Sequence, residues 1–385
     1  MSIRKVCVVV TARPSYSRIR SALLTLKEIP GTEVQLVLAG SSVLDMYGNI
    51  LDYVKQDGLD ISAKVFNVVD GLSNLTSAKT TGLGLIELAT VFDNLNPDVV
   101  VTIADRFETM ATAVAAAYLH IPLVHIQGGE VTGSIDEKVR HSITKLADLH
   151  LVSTNLSRDR VIRMGELPDK VHVTGCPSLD IAKDVIAQPE LDFNVFEKYG
   201  GVGDTLKLEN GYLVLMQHPV TNESLDGREQ MMVTLNAVKD SSLPVLCFWP
   251  NIDAGSDQVS KAIRFFRERG EAENFHFFKN MQGHDFLKLL ANSKALIGNS
   301  SVGIRECSFM GVPVVNIGSR QGGREYASNV VHSTHNLSEI KKSVSTQIHR
   351  GRIESSDLYG DGNAGQKIAE LIANTELSTV KKLSY

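Results

Sequence analysis

The chain has 385 residues, 43% of them hydrophobic and 22% charged, with 30 glycines and 11 prolines, which excludes collagenous, disordered and low-complexity classes. Its 39 basic against 44 acidic side chains leave a formal charge of −5, so nothing electrostatic argues for nucleic acid or an anionic membrane as partner. At roughly 150 residues per domain, the length predicts two domains.

The first apolar run, Val6–Thr11, sits behind Arg4 and Lys5. It is too short for a secretory h-region and lacks a small-residue cleavage site, so export is not expected. Further β-branched runs follow at Val34–Ala39, Val99–Ala104, Leu123–Gln127, Leu149–Ser153 and Val171–Thr174, with helical patterns between most of them. Runs that are apolar on consecutive positions predict strands buried on both faces, as in a parallel sheet covered by helices. The longest apolar segment, Ala111–Leu119, is about half of what spans a bilayer.

From Pro177 the rhythm breaks, and Pro189, Gly200, Gly201, Gly203 and Asn210 punctuate a charged stretch. That places a domain boundary near Pro177–Pro189. A second series follows at Tyr212–Gln217, Val245–Trp249, Phe275–Lys279, Ala295–Gly298 and Val314–Ile317, with a helix at Asp285–Ser293 whose Phe286, Leu289 and Leu290 share one face. Two successive βα series predict an α/β fold of two doubly wound domains, residues 1–180 and 181–385, facing each other across a cleft with ligands at the carboxyl ends of the strands. The tail holds a final helix, able to pack back on the N-terminal domain, and a polar end.

In an open α/β sheet the informative side chains are those that end each apolar run. Here they are polar: Thr11 to Ser17, Asp105-Arg106, Gln127-Gly128-Gly129-Glu130, His218-Pro219 and Asn299 to Glu306. The last segment is the phosphate candidate. A Gly-Asn-Ser-Ser turn opening a helix offers free N–H groups and a positive dipole end, to which Ser300 or Ser301 adds a hydroxyl. It lacks the lysine of a P-loop and the spacing of a dinucleotide fingerprint. Arg13, after the first strand, and Arg320, in a glycine-flanked loop, match the charge of a nucleotide diphosphate. Taken singly each reads as an ion pair; their shared position after strands favours a ligand.

Asp105, Glu130, Asp136, Glu137 and His218 are the candidate proton-transfer groups, because neighbouring carboxylates in a low-dielectric cleft shift toward the working range. Plainer readings stand beside them: Asp105 as a helix N-cap, Asp136 with Arg140 as an i,i+4 ion pair, and His218 as a polar residue before Pro219. Cys7, Cys176, Cys247 and Cys307 lie far apart, and the histidines lack zinc spacing. No metal, cofactor or disulfide is expected, and the expected compartment is the cytoplasm.

Together these motifs resemble the hydrolysing nucleotide-sugar 2-epimerases of GT-B architecture. The resemblance rests on Thr11-Ala12-Arg13 with Tyr16-Ser17, Asp105-Arg106-Phe107-Glu108, the string from His125 to Asp136 (with Gly133-Ser134), Arg140-His141, His218-Pro219-Val220-Thr221, Gly298 to Glu306 and Gly318-Ser319-Arg320-Gln321. It implies two Rossmann-like domains that close on UDP-N-acetylglucosamine or a close analogue. It further implies anti elimination to a 2-acetamidoglucal and hydration, releasing N-acetylmannosamine and UDP for sialic-type acid synthesis. By residue, it implies nucleotide or diphosphate contacts at Arg13, Ser17, Ser300, Ser301 and Arg320, ribose at Glu306 and uracil near Met281. Arg106 and Arg140 would complete the pocket, and Asp105, Asp136 and His218 align with the family's catalytic groups.

Relatives commonly carry a carboxylate where Gln127 stands, and an amide cannot move that proton. Either Glu130 takes over, or Gln127 orients the substrate. The same departure admits a UDP- or GDP-linked 2,4-diacetamido-2,4,6-trideoxyhexose on a legionaminic acid route. His-Pro-Val-Thr in place of His-Pro-Arg favours hydrolysis. Family habit and apolar helix faces in the first domain imply a homodimer or homotetramer. A retaining glycosyltransferase of the same architecture is the competing enzyme reading, and a non-catalytic nucleotide-sugar sensor is the third.

Overall fold

Burial on both faces explains the strands' lack of alternation. In the computed structural model, which describes residues 3–44, 50–71, 73–132, 135–220, 227–250 and 255–385, the strand Val99–Ile103 is buried at all five positions. Val99, Val101 and Ile103 join one core with Ile19, Leu23 and Leu36, whereas Val100 joins another with Phe92, Ala113 and Ile143. Each fully buried Val or Ile contributes about 1.5–3 kcal/mol, so a strand that feeds two cores gains from every residue. Gly133, Ser134 and Thr221 of the motifs above lie outside the described residues.

Seven parallel strands form the first sheet: β1 (Arg4–Val10), β2 (Thr32–Ala39), β3 (Ile61–Val65), β4 (Val99–Ile103), β5 (Leu123–Ile126), β6 (Leu149–Val152) and β7 (Val171–Val173). Their order is β3-β2-β1-β4-β5-β6-β7. Six form the second: β8 (Leu213–Met216), β9 (Val245–Phe248), β10 (Phe275–Phe278), β11 (Ala295–Gly298), β12 (Val314–Ile317) and β13 (Val330–Ser333). Their order is β10-β9-β8-β11-β12-β13. The strand order reverses between β1 and β4 in one sheet and between β8 and β11 in the other, and ligands of such sheets bind at those switch points.

Two compact units contain these sheets: Met1–Val131, Ile135–Asp180 and Tyr359–Tyr385 in the first, Ile181–Leu358 in the second. The final helix, Ala364–Asn374, therefore belongs to the first unit. Its Ile368, Ala369 and Ile372 share a core with Ile19, Leu23 and Leu26 of the helix Arg13–Glu28. Asp180 accepts hydrogen bonds from the Ala364 and Gly365 N–H groups at 2.9 and 2.7 Å, which satisfies donors that the helix start leaves free.

Candidate active site

In the first unit, β4 ends in Ala104 at φ 63°, and that sharp turn presents Asp105. A buried histidine braces it. The Nε2–H of His125 donates to the Ala104 carbonyl at 2.9 Å, while Nδ1 faces the Thr144 hydroxyl at 3.1 Å. Complete burial pushes the His125 imidazole down to about 3, so it is neutral and structural at working pH.

Arg140, 1% exposed, lies on the helix Ile135–Leu146 and joins two segments. Its Nη2 pairs with the Asp105 carboxylate, and its Nη1 donates to the Glu130 carbonyl at 2.8 Å. Glu130 is itself buried, and its carboxylate accepts from the Ser153 hydroxyl at 3.3 Å. Asp136 is half-buried one turn before Arg140 on the same helix. The planar guanidinium thus gathers the chain after β4, the chain after β5 and the helix carrying Asp136, a task suited to a rigid fork of donors.

Arg13 opens the helix after β1, with its guanidinium carbon 5.4 Å from the Tyr53 ring centre, and Ser17 is half-buried one turn on. No acidic residue and no side-chain cap occupies that helix start. Arg106 forms a two-point pair with buried Glu108 at 3.2 and 3.3 Å.

In the second unit, the decisive residue is Asn299, which the sequence places in the Gly-Asn-Ser-Ser turn without a role of its own. Gly298 at φ 128° lets β11 meet the end of β8 so closely that a Cβ there would stand 2.1 Å from the Met216 carbonyl oxygen. The Asn299 side chain then bridges the switch point. It accepts from the His218 N–H at 2.7 Å and donates to the His218 carbonyl at 2.9 Å. Its own carbonyl accepts from Arg320 at 3.2 Å and Gln321 at 2.8 Å. One buried amide therefore ties His218 to the Arg320 loop. Ser300 and Ser301 follow half-buried, and Ser301 Oγ accepts from Arg305 at 2.8 Å. Glu306 is buried with Oε2 lacking a hydrogen-bond partner among the described residues. Met281, 7% exposed, follows β10.

Two expectations need correction. The segment after Ser300 and Ser301 is a 3-10 turn, Ser301–Gly303, and then a helix of only four residues, Glu306–Phe309. Gly311 and Pro313 return the chain to β12 at once, so no long dipole develops, and anion affinity there falls to hydroxyls, turn N–H groups and Arg320. Asp105 is not an N-cap; Glu108 holds that position before Thr109–Tyr118. Gln127, at φ 65°, donates from its side-chain amide to Cys176 Sγ at 2.9 Å. Nothing local marks His125, Thr144 and Asn299 as supports; only the string His125–Gly129 and the Asn before Ser300-Ser301 hint at them.

Comparison with known sequences decides the family: the sequence model described as UDP-N-acetylglucosamine 2-epimerase matches residues 24–373. The chain belongs to that family. It is thereby a nucleotide-sugar 2-epimerase by descent. A UDP-N,N'-diacetylbacillosamine 2-epimerase (hydrolyzing) of Legionella pneumophila is 31% identical over 97% of both chains. A UDP-N-acetylglucosamine 2-epimerase of Neisseria meningitidis is 27% identical over 97% of this chain and 96% of its own. The crystal structure of Methanocaldococcus jannaschii UDP-GlcNAc 2-epimerase in complex with UDP-GlcNAc and UDP matches the GT-B fold with TM-score 0.81 at 18% identity, over 96% of this chain and 99% of that one. Among the described residues of this epimerase, no helix is long and apolar enough to cross a membrane. None of its described histidines, cysteines and carboxylates group in threes around a possible metal.

Proposed function

We propose that this epimerase is of the hydrolysing type, taking a UDP-linked 2-acetamido sugar and water to UDP and the free C2-inverted sugar. The observation that supports this most is the Arg140 clamp, which joins Asp105 to the Glu130 segment. In the first half-reaction a carboxylate removes the C2 proton while the C1–O bond to the diphosphate breaks, leaving a 2-acetamidoglucal. In the second, water adds its hydroxyl to C1 and a proton returns to C2 from the opposite face. Two opposed proton transfers call for two groups, and Asp105, Asp136 and Glu130 are the available carboxylates. Gln127, bound to a thiol, orients rather than transfers. His218, Ser300, Ser301 and Arg320 meet the charge that develops on the departing diphosphate. Met281 follows β10 and Ser300 follows β11, three strand spacings or about 14 Å apart, a span suited to a nucleoside diphosphate with Glu306 at the ribose. Arg13, Ser17 and Arg106 complete the polar lining of the first unit. Four buried cysteines, none of them in a disulfide among the described residues, favour a reducing compartment, the cytoplasm.

UDP-N-acetylglucosamine is the first substrate, on the route to a sialic-type acid. The Legionella relative's name favours a second, UDP-linked 2,4-diacetamido-2,4,6-trideoxyhexose. Incubating the protein with each and following products by NMR separates the two, with free mannosamine-type sugar and UDP expected in equal amounts. Accumulation of a UDP-linked C2 epimer would instead assign the non-hydrolysing reaction. A His218→Ala variant should lose turnover by orders of magnitude while retaining UDP, and undiminished turnover would remove His218 from the mechanism.

A further inference from the structure

The polar stretch that follows the final helix belongs to none of the motifs that carry chemistry, yet it is fixed to the first unit on either side of Lys381. Before it, Leu377 packs on the core that holds Ile19 and Leu23, and the Lys170 ammonium donates to the Glu376 carbonyl at 3.3 Å. After it, the Ser384 N–H donates to the Gly165 carbonyl at 3.1 Å. Gly165, at φ 90°, admits that crossing, since a Cβ there would stand 2.9 Å from the Tyr385 ring and 3.0 Å from Leu383. Polar segments without secondary structure are ordinarily loose unless something ties them down.

What the anchoring delivers is the Lys381 ammonium. It donates to the Thr144 carbonyl at 3.3 Å and to the Ala147 carbonyl, at the end of the helix Ile135–Leu146, where carbonyls lack intrahelical partners and a cation is favoured. It also pairs at 2.7 Å with Glu166, whose side chain is 5% exposed, and Lys145 of the same helix reaches the other Glu166 oxygen at 2.6 Å. This is not one of the exposed pairs that contribute little. Thr144 connects the helix end to the site. Its hydroxyl meets His125 Nδ1 at 3.1 Å, and His125 Nε2–H donates to the Ala104 carbonyl at 2.9 Å, just ahead of Asp105. One turn earlier on the helix, Arg140 pairs with Asp105 directly. We propose that Lys381 is a positioning residue for the reaction: by fixing the end of this helix it holds both routes, through Thr144 with His125 and through Arg140, that place the Asp105 carboxylate. The inference rests on Asp105 taking part in proton transfer.

Two readouts on the full chain test it. In Lys381→Met, amide hydrogen exchange along Ile135–Leu146 should quicken about tenfold or more, with exchange in the second unit unchanged. On whichever sugar nucleotide the parent turns over, kcat should fall about tenfold or more while KM and UDP affinity stay within about twofold, because a displaced catalytic group acts on the barrier and not on binding. Lys381→Arg keeps the charge and two donors for the carbonyls, and should recover most of kcat. Lost stability alone does not imitate this pattern, since a domain weakened by one ion pair stays almost wholly folded, which circular dichroism checks. Should Lys381→Met fail to fold, Lys381→Gln, which retains a donor for one carbonyl, makes the same comparison with a smaller loss of kcat expected. An active parent whose Lys381→Met or Lys381→Gln variant keeps its kcat, a loss that falls on KM instead, or an arginine variant as slow as the methionine one would overturn this proposal alone. A parent inactive on every sugar nucleotide would overturn the proposed function, and this proposal with it.

Discussion

Arg140 shows why a single side chain can decide a site. Fully buried, it satisfies its charge on Asp105 and spends a second donor on the Glu130 carbonyl. Lysine keeps the charge but offers one mobile point in place of a planar fork, so Arg140→Lys should lower kcat by about 100-fold, as misplaced catalytic groups do. Arg140→Met removes the partner of Asp105 and should cost about 3–5 kcal/mol in urea unfolding. A methionine variant as stable as the parent would show that the pair is idle. Gly298 and Asn299 act together in the same sense: the glycine admits the close approach, and the amide uses it to hold His218.

At the scale of elements, the helix Ile135–Leu146 carries Asp136 and Arg140 and must itself be fixed. At its far end, Lys381 donates to the Thr144 and Ala147 carbonyls, groups that a helix terminus leaves unsatisfied. Lys381 also meets Glu166 at 2.7 Å, where Lys145 at 2.6 Å and His150 at 2.9 Å converge. Burial alone would raise the Glu166 carboxyl; the three donors outweigh it and hold the group down at about 2. A carboxylate depressed on folding stabilises above its unfolded value near 4.5 and loses that contribution as pH falls toward about 2. Glu166→Gln should therefore cost roughly 3 kcal/mol at pH 7, at about 1.36 kcal/mol per pKa unit. The gap between parent and variant should narrow as pH falls through about 4 and close near about 2; a constant gap from pH 7 to pH 3 would rule this linkage out.

Elements also mark where sequence reading stops. Both strands that periodicity missed, β3 and β13, are edge strands with burial alternating or broken along their length. A search for runs apolar on consecutive positions finds strands covered on two faces, which here include every central strand and the edge strand β10, buried at all four positions. The helix expected after Ser300-Ser301 fell short because its length is set by how soon β12 must begin, a constraint that lies in the sheet.

For the whole molecule, the nucleotide assignment makes a thermodynamic prediction. A ligand that binds only the folded protein at 100 times its Kd adds about 2.7 kcal/mol of stability. UDP should raise the unfolding midpoint accordingly, and Arg320→Ala should remove most of the rise. No shift with saturating UDP or GDP would withdraw the nucleotide reading for the second unit.

Strand-end polarity, the two βα series and the family motifs were legible in the chain, because hydrophobic period and backbone preference act over a few neighbours. The sequence by itself therefore determined the α/β class, the central strands and the roster of polar groups that end them. Only the tertiary structure decided which of them touch: Asp105 with Arg140, His218 with Asn299 across 81 residues, Gln127 with a thiol rather than a carboxylate. Those pairings depend on strand order and on backbone approaches at glycines such as Gly298 that leave no room for a Cβ. Packing at that precision is a property of many segments at once, and no local stretch of sequence contains it.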